Sequence, residues 1–171
     1  MAITSDQVIE QYGTPDGKQP LNVGIQATVQ LYRGTIAVMN GPQAASHQGY
    51  LKNGDTPATS DIVLGILSKY GPGSADALPG LLGGSTDGAT TAEILTGTFL
   101  LNSGTGADQL SAATAGQNVY LIDSVTVGLN QSGRPIAGVQ MPAGDVANLP
   151  TGVGGKFPIK LGTPSSPLGG P

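Results

Sequence analysis

The residue types that could do acid, base or nucleophilic chemistry are few in this chain. His47 is the single histidine. Its neighbours Ala44, Ala45, Ser46 and Gln48 offer neither an orienting carboxylate nor an adjacent ligand, so it reads as a solvated loop histidine rather than a member of a triad. The carboxylates Asp6, Glu10, Asp16, Asp55, Asp61, Asp76, Asp87, Glu93, Asp108, Asp123 and Asp145 are scattered, mostly in turn contexts where Asp accepts from backbone amides. Ser85-Thr86-Asp87-Gly88 lacks the alternating acids and terminal Glu of a calcium loop. Gly13-Thr14-Pro15-Asp16-Gly17-Lys18-Gln19 is one residue short of a phosphate loop and follows no strand. With no cysteine, thiolate catalysis, disulfides and Cys-ligated zinc are excluded. No catalytic, cofactor-binding or metal-binding set emerges, and the chain reads as non-enzymatic.

Composition points to the elements that would hold these residues. The 171 residues fit one domain with appended arms. The 28 Gly and 13 Pro make the chain turn-rich, and only 11% of residues are charged. Hydrophobic residues at 38% argue for ordered strands over disorder. A formal charge of -4 with seven Lys and Arg in all is a poor match to phosphate, so nucleic acid is not an expected partner. The start, MAITSDQVIEQYG, has neither the basic nor the apolar region of a secretion signal, and nowhere do some 18 apolar residues run together, so the expectation is a soluble protein made in the cytoplasm, without a membrane partner.

Periodicity divides the chain into an N-terminal arm over 1–22, a β domain over 23–149 and a C-terminal segment over 150–171. Strict alternation of Val23, Ile25, Ala27, Val29 and Leu31 predicts one strand. Thr35 to Met39 predicts a second, ended by the turn Asn40-Gly41-Pro42. A short strand over Gly49 to Lys52 is followed by the apolar run Ile62 to Leu67, suited to a buried strand. Residues 71–92 read as a long surface loop. Further strands are predicted at Glu93 to Leu101, Asn118 to Gly128 with a bulge or kink at Asp123-Ser124, and Pro135 to Met141. Phe157, Ile159 and Leu161 alternate, but Pro158 assigns that strand to a sheet edge before a Gly/Pro-rich flexible tail.

Two pairs of segments echo each other. Gly34-Thr35 and Gly97-Thr98 each open an apolar strand, and Ile62-Val63-Leu64-Gly65-Ile66 resembles Pro135-Ile136-Ala137-Gly138-Val139. A glycine inside a strand marks a bulge, a bend or a close backbone approach, so matched glycines predict matched curvature. Duplication and coincidence in a glycine-rich chain both fit. The expected fold is all-β: a small β-barrel or barrel-like β-sandwich.

The strand at Val23 to Leu31, the Arg33 to Val38 continuation, the Ile62 to Ile66 run and its echo at Ile136 to Val139 together resemble the head decoration, or cement, proteins of tailed bacteriophages over roughly residues 20 to 145. That resemblance implies a homo-oligomer, often a trimer, on the outside of an icosahedral capsid, clamping major capsid protein subunits in the virion. No cofactor is implied. Candidate contact residues are Tyr12 in the arm, Tyr32 and Arg33, Tyr70 beside the long loop, Arg134 and Phe157, because Tyr, Phe and Arg are enriched at interfaces. The rival expectation is a virion or fibre β module that binds a receptor or glycan through the long loop.

Overall fold

The computed structural model describes residues 21–68, 81–142 and 155–162. Two β assemblies share the chain. The first is a five-stranded sheet made of β1 (Leu21–Gly24), β3 (Ile36–Met39), β4 (Leu51–Lys52), β5 (Ile62–Leu67) and β7 (Thr91–Leu95), in the order β1-β7-β5-β3-β4. A two-stranded ribbon, β2 (Gln30–Leu31) with β6 (Leu81–Leu82), accompanies it. The second is a closed barrel of β8 (Thr98–Ser103), β9 (Asn118–Asp123), β10 (Thr126–Gly128), β11 (Ile136–Gln140) and β12 (Lys156–Leu161), in the order β10-β8-β12-β11-β9. Its pairs are antiparallel except β8 with β10.

Alternation explains which side chains meet. Phe99 and Leu101 of β8, Val119 and Leu121 of β9, and Phe157, Ile159 and Leu161 of β12 turn one face inward, where Val127 and Leu110 join them. Ile36 and Val38 of β3 and Val63 and Ile66 of β5 complete the same core, so one face of the sheet packs on the barrel. The opposite face, with Ala37, Leu67, Ala92 and Ile94, packs with Ile25, Leu31, Leu51 and Leu81 in a second core. The middle strands are therefore covered on both sides, which is why Ile62 to Leu67 reads as continuous apolar sequence.

Bulges set the curvature. Ala37 pairs with Gly65 but Val38 pairs with Val63, leaving Leu64 as the extra residue. Ile136 pairs with Tyr120 but Gly138 pairs with Val119, leaving Ala137 as the extra residue. The shift at Leu64 moves the side-chain phase, so Val63 and Ile66, three residues apart, reach the same core. Gly34 and Gly97 both adopt positive φ, 72° and 140°. The two echoes do not superpose as one duplicated unit: β3 pairs directly with β5, whereas β12 lies between β8 and β11.

The all-β architecture with a barrel agrees with the sequence, and several boundaries are corrected. The alternating run from Val23 to Leu31 is not one strand. Val29 N–H bonds to the Gln26 carbonyl at 3.3 Å and Thr28 adopts φ 60°, so a tight turn separates β1 from β2. Glu93 to Leu101 divides at Gly97 into β7 and β8. Asp123-Ser124 is a reversal joining antiparallel β9 and β10, with Val125 N–H bonded to Asp123 Oδ1 at 3.0 Å. The predicted loop over 71–92 contains β6 and the start of β7, and its residues 71–80 lie outside the described residues. The arm over 1–22 has its last two residues in β1; residues 1–20 and the tail from 163 onward lie outside the described residues.

The predicted edge strand is an interior strand: β12 pairs with β8 on one side and β11 on the other. Pro158 is tolerated because its peptide faces β11 just beyond the last ladder pair, Gln140 with Ile159. Its carbonyl accepts Met141 N–H at 2.8 Å, and at that position no donor is required of it.

Candidate interaction surface and the Asp87 loop clamp

Three connections converge at one end of the sheet: the turn Gln26 to Val29, the β3–β4 loop from Gly41 to Tyr50, and the β6–β7 loop from Gly83 to Thr90. Local rules shape each. Asn40 ends β3, its Nδ2 donating to Gln26 Oε1 at 2.8 Å and the Tyr50 carbonyl at 3.2 Å. Gly41 follows because a Cβ there would lie 1.6 Å from the Ser60 carbonyl oxygen. The Tyr50 ring covers Gly88, where a Cβ would stand 3.0 Å from it.

Asp87 ties the three together. Its Oδ1 accepts Ala27 N–H at 2.8 Å, and its two oxygens lie 2.9 and 2.7 Å from His47 Nδ1. The Ala27 amide, and then the His47 hydrogen bond, hold the Asp87 carboxyl below its ordinary value. An ionised carboxylate only accepts, so the His47 proton sits on Nδ1 and Nε2 points away from the pair. Thr28 and His47 both take left-handed conformations, φ 60° and 57°. Each costs about 1 to 2 kcal/mol relative to ordinary backbone. One carboxylate thus anchors two turns that each contain a non-glycine residue at positive φ.

A histidine oriented by a carboxylate is half of a general-base arrangement. The other half is missing: among the described residues no hydroxyl hydrogen-bonds Nε2, and no group of three His, Asp or Glu side chains is placed to hold a metal. A cavity of about 10 Å³, large enough for one water at most, lies elsewhere, between Tyr32, Thr35, Lys52, Asn53 and Ser124. The pairing of His47 with Asp87 corrects the sequence expectation that the histidine lacked an orienting carboxylate. The partners are 40 residues apart and no local signal links them.

The proposed contact residues are dispersed by the fold. Tyr12 and Tyr70 lie outside the described residues. Phe157 is buried in the barrel core, and Arg33 is buried in the turn between β2 and β3, so both side chains are committed to the fold. Tyr32 is half-buried beside the small cavity. Arg134 Nη1 donates to Asp108 Oδ1 at 2.8 Å and Oδ2 at 2.9 Å, and Asp108 also accepts Asn130 N–H at 3.0 Å, a brace under the β10–β11 turn. Among the described residues, the large apolar side chains left exposed are Leu21 at 45% and Leu82 at 59%. Compared with protein-family models, with curated proteins and with solved structures, the chain matches none of them.

Proposed function

We propose that the chain is a structural virion protein that binds the outside of an icosahedral phage capsid as a homo-oligomer and stabilises neighbouring capsid subunits. The observation that carries this reading is β1. It pairs with β7 on one side, has no strand on its other side among the described residues, and directly follows the polar segment 1–20. An edge in that position can accept or donate a strand between molecules, so main-chain hydrogen bonds provide attachment without a charged patch. Three carboxylates, Asp87, Asp61 and Asp108, brace loops through ion pairs, as suits a structural part. Repetition of such contacts over a symmetric shell turns weak single interfaces into firm attachment.

The test is deletion of residues 1–20, which leaves β1 intact. The truncated chain should keep its thermal unfolding transition and lose most of its attachment to emptied tailed-phage capsids, measured by cosedimentation. Unchanged attachment would remove the arm from the mechanism, and a full-length chain that fails to cosediment would remove the function.

A further inference from the structure

Just past β1 the five-stranded sheet closes on itself. Ile25 bridges Leu51 of β4 in parallel, and Gln26 N–H bonds to the Leu51 carbonyl at 2.9 Å. On its other side Ile25 N–H bonds to the Thr90 carbonyl at 2.8 Å, continuing the ladder with β7. The two outer strands of the sheet therefore meet at Ile25, while the outer edge of Leu21–Gly24 stays open ahead of that seam.

Closed in this way, the first assembly has the topology of the second. Its strands in chain order are β1, β3, β4, β5 and β7, and those of the second are β8, β9, β10, β11 and β12. In both, the first strand pairs with the fifth, the fifth with the fourth, the fourth with the second and the second with the third, all antiparallel. In both, the third closes on the first in parallel.

The agreement extends to single bonds. At the seam, Gly104 N–H bonds to the Val127 carbonyl at 2.8 Å, as Gln26 does to Leu51, and Ser103 N–H bonds to Gly155 O at 3.0 Å, as Ile25 does to Thr90. Gly34 N–H takes the Leu67 carbonyl at 2.8 Å and Gly116 N–H takes the Gln140 carbonyl at 2.7 Å, with φ 72° and 87° at the two glycines. Ser68 N–H reaches Glu93 O and Met141 N–H reaches Pro158 O, both at 2.8 Å. The fourth strands carry the matching bulges at Leu64 and Ala137. The fifth strands run into Ile94-Leu95-Thr96-Gly97-Thr98 and Ile159-Lys160-Leu161-Gly162-Thr163, with Gly97 and Gly162 both at positive φ. Strand order alone does not impose a common register, because each pairing could slip by two residues and keep its faces.

We infer that the chain is an internal duplication, in which one five-stranded barrel unit occurs twice in tandem, joined through Thr96-Gly97. The inference stands apart from the capsid reading. It re-pairs one echo in the sequence: the counterpart of Gly34 is Gly116 and that of Gly97 is Gly162, whereas Gly65 and Gly138 are true counterparts. It also locates where the units diverged. The first connection of each places one leucine in its core, Leu31 in the first and Leu110 in the second. Leu31 is held by the β2–β6 ribbon. Leu110 N–H is held by Ser103 Oγ at 2.7 Å, and Gln140 Nε2 donates to the Ser111 carbonyl at 2.7 Å. Ser103 and Gln140 are the counterparts of Ile25 and Leu67, so the second unit has polar latches where the first has apolar packing.

The seam is the feature that decides the matter, and two measurements on the full-length chain test it. In wild type, hydrogen exchange should show the Gln26 amide protected at least about hundredfold over its intrinsic rate, as Gly104 is. Because the chain has no cysteine, introduced pairs are its only thiols. Bridge partners lie within the Cα separation that a disulfide spans, about 4.4 to 6.8 Å. I25C/L51C and S103C/V127C should therefore both form intramolecular disulfides with oxidised glutathione, whereas I25C/K52C, one residue out of register, should not. An unprotected Gln26 beside a protected Gly104 would leave the first sheet open and overturn the inference, and exposure of both amides would overturn it too. Failure of I25C/L51C to crosslink where S103C/V127C does, or crosslinking of I25C/K52C, would equally contradict it. Should a buried cysteine unfold the chain, as thermal unfolding would show, the wild-type exchange decides alone.

Discussion

Gly65 and Gly138 occupy equivalent positions in two different β assemblies. Each follows a bulged residue, Leu64 or Ala137, and each is hemmed in on its other side by a backbone carbonyl. A Cβ at Gly65 would lie 2.2 Å from Leu95 O, and one at Gly138 would lie 2.0 Å from Lys160 O. Leu95 pairs with Ile66 and Lys160 pairs with Val139, so in both cases the obstructing carbonyl belongs to the residue opposite the glycine's successor. The same device, a bulge closed by a glycine, lets a strand bend while a third strand stays near.

Gly65→Ala and Gly138→Ala should therefore each destabilise the fold by about 3 kcal/mol, because a ladder carbonyl cannot move aside as a flexible side chain would. Chemical denaturation of the two variants measures this. A cost below about 1 kcal/mol at either site would show that the strands can separate locally to admit a methyl group.

How far the sequence shows this fold can be judged on such positions. The bulge glycines were legible, because a glycine inside an apolar strand pattern marks a bulge or a close backbone approach, and here it marks both. The barrel and all-β class were legible from short alternating runs between turns. The break at Thr28 was not, since Ala27 and Val29 continue the period of two and the turn is fixed by Asp87, distant in sequence. The His47 partnership was hidden for the same reason. Of the candidate contact residues, Phe157 and Arg33 were chosen by residue type, and type alone does not distinguish an aromatic or guanidinium on a surface from one in a core.

Pro158 gives a second test, of strand position. Its peptide faces β11 where the ladder has ended, so Pro158→Ala should change stability by less than about 1 kcal/mol. Lys160 is exposed and faces β11 within the ladder, paired with Val139. Lys160→Pro should cost about 2 kcal/mol or more, through a lost ladder bond rather than lost packing. Equal effects at the two positions, measured by thermal unfolding, would contradict an interior β12.

Asp87 predicts an acid dependence. Its carboxyl is held below the ordinary value, chiefly by the Ala27 amide and then by His47. A group with a depressed folded pKa contributes stability above its unfolded value, about 3.9, and the contribution is lost as pH falls through the folded value. Wild type and Asp87→Asn should thus differ in thermal stability at pH 6 and converge as the solution is acidified below about pH 4. Protection of the Ala27 amide against hydrogen exchange, taken relative to the intrinsic rate at each pH, should fall over the same range. A difference that is constant with pH would mean that Asp87 acts through shape rather than charge.

Lys52 and Asp61 brace the loop that joins the sheet to the barrel. Asp61, with a side chain 2% exposed, takes Lys52 Nζ at 2.8 Å and Ala58 N–H at 2.7 Å. The loop between them carries Asp55, whose Oδ1 accepts Ser124 Oγ at 2.6 Å, and Thr59, whose Oγ1 donates to the Gly133 carbonyl at 2.6 Å. Both contacts reach turns of the barrel. Lys52→Met should therefore cost about 3 kcal/mol by stranding a buried carboxylate. Adding Asp61→Asn should recover most of that loss, because the amide oxygen still accepts Ala58 N–H and no charge remains unpaired. If the double variant is no more stable than Lys52→Met, the loss arises from the lysine's packing, and the pair is not what fixes the loop against the barrel.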